Sequence, residues 1–422
     1  MASSQKKIFV YDHFSTDIPQ LFGVLYVDIA KGNESYSFEY NDEWLKSTRL
    51  TMTLDPELQH YGGRQYPSGK GIFGLFADAS PDRWGRVLMQ KRESINASKE
   101  GRKPARLNDS DYLLGVFDET RMGGVRFKLS EDGAFLSDDK DSSVPPWATL
   151  RTLEEASRQF ENDDEVQKEK WLEQLLRPGS SLGGARPKAT IQDTNGELWI
   201  AKFPSSKDEN NTGAWEKVVH DLAGICGLHV PESKLETFSK LGSTFLVKRF
   251  DRCGAKRIHF ASAMTLLGKT DGASAADGSS YLEMVSFIKS YGGNPNGDLV
   301  ELWKRIVFNM AVSNTDDHLR NHAFILTAKG WILSPLYDVN PVPYGEYLSL
   351  NVNEDDSRIS IDLAVETAGY FGIKQEDASK LAKEMLNIVK ANWENLAKRY
   401  GISRGQIEAM RPAFSVCENN TQ

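Results

Sequence analysis

The chain is 422 residues long, more than one ordinary core holds, so two or three domains or lobes are expected. It is 40% hydrophobic and 26% charged, the composition of a soluble globular protein. A formal net charge of -8 argues against nucleic-acid binding as its own main activity, because phosphate contacts need clustered Lys and Arg. The three cysteines, Cys226, Cys253 and Cys417, have no metal-ligand spacing and cannot form a disulfide framework, which fits a reducing compartment. The N-terminus lacks a signal-like apolar core, and no run approaches the ~20 apolar residues that cross a bilayer. A cytoplasmic protein with no membrane partner is expected.

In chain order, Leu21 to Val27 and Tyr36 to Tyr40 are short, aromatic and β-branched, as strands are. A helix is expected over 81–92, with Pro81 at its start, and strand-like structure over 112–130 around Gly123-Gly124. The polar run 138–143 followed by Pro145-Pro146 reads as a linker. Residues 151–176 read as helical. A glycine-rich segment follows, Gly179-Ser180-Ser181-Leu182-Gly183-Gly184-Ala185-Arg186-Pro187-Lys188, and leads into a strand. Ala189 to Gln192 and Leu198 to Phe203 flank Asn195-Gly196, a strong hairpin signal. A helix over 213–227 carries Glu216, and 244–250 reads as a strand. From about 260 the pattern is mostly helical. Leu299, Leu302, Trp303, Ile306, Val307 and Met310 share one helical face, and 376–411 is again helix-like. The fold class is therefore α+β, with a mixed α/β N-terminal part and a mostly helical C-terminal part.

The chemistry concentrates where the amphipathic helix ends, in Asn314-Thr315-Asp316-Asp317-His318-Leu319-Arg320-Asn321. Asp316 and Asn321 are five residues apart, and Asp338 follows seventeen residues later in Leu336-Tyr337-Asp338. An Asp, an Asn five residues on and a later Asp is the order in which protein kinases place the residue that orients the hydroxyl nucleophile and the two that hold magnesium. A glycine-rich loop lets backbone N–H groups approach phosphate. Lys202, ending a strand and followed by Glu216 on a helix, has the order of a Lys–Glu pair that grips the α- and β-phosphates. Each part has a plainer reading: a glycine turn, a solvated strand lysine, or a polar helix terminus. Lys188, Lys248 and Arg249 are either phosphate contacts or surface charges. His318 and His322, four apart beside two aspartates, also allow a metal-hydrolase reading.

The ordered set Ser181-Leu-Gly-Gly-Ala-Arg-Pro-Lys188, Phe245-Leu-Val-Lys-Arg-Phe-Asp-Arg252, Asn314 to Asn321 and Leu336-Tyr-Asp338 resembles the HipA family of serine/threonine kinases, the toxins of type II toxin–antitoxin modules. Phe76-Ala-Asp-Ala-Ser-Pro-Asp-Arg-Trp-Gly85 and Leu113 to Gly124 resemble that family's N-terminal signatures, so the resemblance spans nearly the whole chain. It implies a two-lobed kinase-like fold: a HipA-type N-terminal subdomain over 1–145, an N-lobe-like part with the glycine loop over 146–255, and a helical C-lobe over 256–422. It implies ATP and Mg2+ as cofactors, with Asp316 catalytic and Asn321 and Asp338 on the metal. Gly183, Gly184, Lys188, Lys202, Glu216, Arg249 and His318 would serve the nucleotide, and Val247 to Phe250 would be the hinge beside adenine. Ser181, or Ser180 beside it, falls where the family autophosphorylates, a modification that ejects the loop and switches the kinase off. The family also implies a small helix-turn-helix antitoxin, DNA contact only through that antitoxin, and a protein substrate such as an aminoacyl-tRNA synthetase whose phosphorylation arrests growth. Asp317 departs from the pattern: the best-known members carry a small residue there. Two rival readings are a catalytically silent scaffold that acts as corepressor and a small-molecule kinase sharing the same Asp/Asn logic.

Overall fold

The computed structural model describes residues 4–47, 52–69, 71–136, 144–162, 175, 184 and 186–419. The chain forms two compact units. Unit 1 comprises Met1–Ser206 with Lys248–Ala261, and unit 2 comprises Lys207–Val247 with Ser262–Gln422.

Unit 1 is built on an antiparallel sheet of β1 (Ser4–Asp12), β2 (Gln20–Ala30), β3 (Asn33–Tyr40), β4 (Arg64–Gln65) and β5 (Val125–Lys128), in the spatial order β4-β3-β2-β1-β5. Period-two alternation turns Ile8 and Val10, Leu25 and Val27, and Tyr36, Phe38 and Tyr40 inward. Phe22, Phe38, Tyr40 and Trp44 pack edge-to-face, tilted or stacked around this layer. The strands expected at 21–27 and 36–40 are present and longer than the sequence pattern indicated. The helix expected at 81–92 runs from Arg83 to Lys99, capped by the Asp82 carboxylate, which accepts from Gly85 N at 2.9 Å. Trp84 and Leu88 pack against Ala156, on the Leu150–Glu161 helix, and Leu175. The strand-like reading of 112–130 is corrected: Asp109–Leu114 is helical, and only Val125–Lys128 is a strand. Asn108 and Asp111 form a reciprocal capping box there, a local device that outweighs the apolar run after it. Most of the expected linker lies outside the described residues, but Pro145 is not free: its carbonyl accepts from Gln192 N at 2.9 Å.

The Asn195-Gly196 hairpin is present. Strands β6 (Lys188–Gln192) and β7 (Leu198–Lys202) pair antiparallel, from Lys188 opposite Lys202 to Gln192 opposite Leu198. Asp193 holds the turn by accepting from Asn195 N and Glu197 N, at 2.8 and 2.9 Å, while Gly196 takes φ +81°.

Unit 2 contains the expected Glu216 helix, Thr212–Ile225, and the antiparallel pair β8 (Ser233–Glu236) and β9 (Thr244–Lys248), the latter but for its last residue. Its central helix, Pro295–Ala311, buries all six residues of the predicted apolar face, from Leu299 to Met310. The Gln375–Arg399 helix presents Trp393 to Trp215 and Phe414; the Trp393 and Phe414 rings stack with centroids 4.3 Å apart. After the central helix comes a hairpin, Ala323–Thr327 paired with Gly330–Leu333.

Candidate active site

In unit 2 the central helix stops where Asn314 turns back on it. Asn314 N donates to Asn309 O at 2.8 Å, its side-chain amide donates to Asn309 Oδ1 at 3.1 Å, and Ser313 takes φ +48°. The next residues run without regular structure until Asn321 N closes a turn onto His318 O at 2.8 Å. The Asn321 side-chain nitrogen donates to Asp316 O at 2.7 Å, so the two ends of the D-x-x-x-x-N segment are bonded to each other. With the nitrogen so engaged, Oδ1 faces the other way, buried and without a hydrogen-bond partner. A buried oxygen acceptor with no donor costs about 1–3 kcal/mol, a cost that a cation ligand removes.

Asp316 carries its carboxylate outward, with 71% of the side chain exposed, and His318 Nε2 lies 3.5 Å from Oδ1. Its pKa is raised, first by partial desolvation and then by the like charge of Asp338; His318 opposes the rise. Asp338 therefore lies close enough for its charge to be felt at Asp316. The strand Gly330–Leu333 leads toward it, and Tyr337 Oη donates to Arg320 O at 2.7 Å, tying the Asp338 segment to the Asn321 turn. Asp338 holds φ +57°, in the left-handed region that non-glycine residues seldom occupy outside turns and functional sites.

Asp317 points inward. It is 1% exposed; its carboxylate accepts from Tyr281 Oη and, at 2.6 Å, from Ser349 N. Burial pushes its pKa up to about 6 against those two bonds. The extra carboxylate at this position is therefore spent on holding unit 2 together. His322 is buried, its Nε2 is 3.1 Å from Asp317 O, and burial drives its pKa down to about 3. It shares no ligand set with the half-exposed His318, and among the described residues no three His, Cys, Asp or Glu side chains converge in a metal-holding group. The metal-hydrolase reading loses its support. Glu216 is buried in its helix.

In unit 1, Lys202 ends β7 half-buried, directly across from Lys188. Lys188 is 4% exposed; its ammonium donates to Asp82 Oδ2 at 2.9 Å and to Gly184 O at 3.3 Å. This buried pair lets two like charges stand opposite in one hairpin, and it fastens Gly184, at φ +65°, to the cap of the Arg83–Lys99 helix. Ser180, Ser181 and Gly183 lie outside the described residues. Arg249 is 3% exposed and fully committed: Nε and Nη2 donate to Asp251 at 2.9 and 2.7 Å, and Nη1 donates to Thr120 O at 2.6 Å. Its donors serve the interior of unit 1, which answers the question of phosphate contact or surface charge with neither. Phe250 is half-buried near Phe260, their ring centroids 6.1 Å apart.

The model for the HipA-like C-terminal domain matches residues 180–393, half of the chain, and that for the HipA N-terminal domain matches 23–107. The chain belongs to the HipA family. The fold agrees: HipA of Shewanella oneidensis MR-1, solved with HipB and its operator DNA, superposes with a TM-score of 0.69 over 97% of this chain and 96% of that one, at 16% identity. Two proteins of Sinorhizobium fredii (strain NBRC 101917 / NGR234) are also similar. "Putative kinase Y4mE" is 28% identical over 183 residues, covering 38% of this chain and 41% of its own; "Putative kinase Y4dM" is 25% identical over 218, covering 47% and 52%. The chain spans about half the length of these curated relatives.

The two N-terminal segments that resemble HipA signatures are joined through Arg121. Wholly buried, it donates to Ala79 O at 2.8 Å, in the first signature, and to Leu113 O and Val116 O at 2.9 and 3.0 Å, in the second. Sequence reasoning missed Arg121, Asp82 and Tyr281. Asp82 was legible only as a helix start, and nothing local signals that Tyr281 would meet Asp317 across 36 positions.

Proposed function

We propose that this chain is an ATP- and Mg2+-dependent serine/threonine protein kinase acting as the toxin of a type II toxin–antitoxin module. The observation that carries this reading is the joining of Asp316 and Asn321 by a hydrogen bond that leaves a buried, partnerless amide oxygen, with the Asp338 charge close by. Asp316 orients the substrate hydroxyl and accepts its proton; the upward shift of its pKa suits a general base. Asn321 Oδ1 and the Asp338 carboxylate hold the metal, and the carboxylates' mutual repulsion is the kind a divalent cation relieves. The metal, when bound, neutralises the phosphate charges. Lys202 grips the phosphates, Gly184 belongs to the loop that cradles them, and Lys188 acts on that loop indirectly by holding the Gly184 carbonyl.

Similarity to proteins named as kinases supports the reaction class. Similarity to a HipA solved with HipB and operator DNA supports a small DNA-binding antitoxin as partner, with DNA reached through it. The substrate is a protein Ser or Thr, an aminoacyl-tRNA synthetase being the family's precedent, and regulation is by autophosphorylation of Ser181 or Ser180.

The test is the intact mass of purified protein after incubation with ATP and Mg2+, followed by peptide mapping, with Asp316→Asn alongside. One added phosphate on Ser181 or Ser180 in the wild type alone is expected. No phosphate on either despite ATP binding would move the reading to a silent corepressor scaffold or to a kinase that acts only on a foreign substrate, and equal phosphate on both would remove Asp316 from the catalytic role.

A further inference from the structure

The β6–β7 hairpin has two ends. Lys188 and Lys202 face each other at one, and Gln192 and Leu198 at the other, about 13 Å away along the strands. At this second end unit 1 encloses a cavity of about 470 Å³, walled by Gln192, Asn195, Glu197, Lys248, Arg252 and Arg257 among others. Its volume is in the range of small-molecule sites.

The wall is cationic. Arg257 is 6% exposed; its Nη2 donates to Asp118 O and Oδ2 at 2.8 and 3.1 Å, but Nη1 is buried with no partner. Neighbouring guanidiniums are spoken for: Arg249 by Asp251 and Thr120 O, and Arg252 by Asp251 and Arg121 O. Lys248 sits 2.5 Å from Glu197 at the partly exposed rim. Four cations line the cavity, Lys248, Arg249, Arg252 and Arg257. Two carboxylates, those of Glu119 and Glu197, line it with them, and Asp251 and Asp118 pair with the three guanidiniums from behind the wall. Burial depresses the Arg257 and Arg252 pKa values to about 10 and about 9, the direction that a bound anion reverses.

We propose that this cavity binds the phosphate monoester of a small molecule. Its dianionic end accepts from Arg257 Nη1 and faces Lys248, and the Gln192 and Asn195 amides border the remainder. A dianion suits a wall with four cations and two carboxylates, and the cavity has room for more than bare phosphate. The site stands apart from Lys188 and Lys202 within unit 1, so it does not depend on the kinase reading.

The test is calorimetric titration with inorganic phosphate and, separately, with ribose 5-phosphate, each with and without a non-hydrolysable ATP analogue. The wild type, Arg257→Gln and Ala255→Glu are compared. Ala255 is exposed on the cavity wall, so Ala255→Glu adds a negative charge there while leaving the buried network intact. Saturable binding of the monoester, tighter than of free phosphate, indifferent to the ATP analogue and weakened at least about tenfold by either substitution, is expected. Equal binding of free phosphate would reduce the site to one for inorganic phosphate and overturn the monoester assignment. Absence of wild-type binding, or unchanged affinity in Ala255→Glu, overturns the proposal altogether, and Ala255→Glu decides even if Arg257→Gln fails to fold.

Discussion

Asp316 and Asp317 are neighbours with opposite environments, one carboxylate turned to solvent and the other buried under Tyr281 and Ser349. The folded-state pKa of Asp317, about 6, lies above the ordinary carboxylate value, so the native state holds this proton more tightly than the unfolded chain does. The stability linked to it is complete below about pH 4 and is lost as pH rises through 6, a loss of at most about 3 kcal/mol. Asp317→Asn, which keeps an acceptor for Ser349 N, should flatten that part of the stability curve; chemical denaturation of both proteins between pH 4 and 7 measures it, and parallel curves would refute it. Asp338 offers a second contrast. Asn tolerates the left-handed backbone whereas Val does not. Asp338→Asn should keep the melting temperature and lose ATP-dependent phosphorylation, while Asp338→Val should lose about 1–3 kcal/mol of stability as well. Unaltered phosphorylation in Asp338→Asn would remove Asp338 from the metal.

At the scale of elements, local chemistry was legible where one signal dominated. Asn195-Gly196 announced its hairpin because Gly196 supplies the positive φ, +81°, that the turn needs, and the apolar spacing from Leu299 to Met310 announced a buried helix face. Ile306→Ala on that face should cost about 2–5 kcal/mol, read as a lower denaturation midpoint with an unchanged slope, because the site is fully buried and cannot collapse freely. Elements were missed where long-range pairing supplies the stability. The β1 strand carries a short apolar run, Ile8 to Tyr11, that looks unremarkable alone but pairs with β2 on one side and β5 on the other, with a bulge between Val10 and Tyr11. The order of the candidate site residues was legible from spacing. The committed state of Arg249, the inward turn of Asp317 and the Lys188–Asp82 pair were not, because each depends on a partner distant in sequence or on burial.

For the whole molecule, chain order and unit membership do not coincide. Unit 1 is completed by Lys248–Ala261, which follows forty-one residues belonging to unit 2. That returning segment brings Asp251, wholly buried, to accept from Gly123 N at 2.9 Å, and Arg257 to meet Asp118. Residues 1–206 alone would bury Asp118 with one cationic partner fewer and leave the Gly123 and Thr120 backbone groups short of partners, a state that each costs about 1–3 kcal/mol. This fragment should lack a cooperative thermal transition; a sharp one matching the full chain would show that the segment is dispensable. Among the described residues no helix is long and apolar enough to cross a membrane.

The Lys188–Asp82 pair connects the loop proposed to cradle nucleotide with the cap of the Arg83–Lys99 helix. Replacing Asp82 would strand a buried ammonium ion and release the Gly184 carbonyl from its tether. In a genetic selection for loss of activity, Asp82 alleles should therefore be recovered together with Asp316 alleles, and the two classes would part only on purification, Asp316 variants retaining full stability and Asp82 variants losing some of it. A map of inactivating alleles would then extend into the Phe76–Gly85 segment, well outside the residues proposed to do the chemistry.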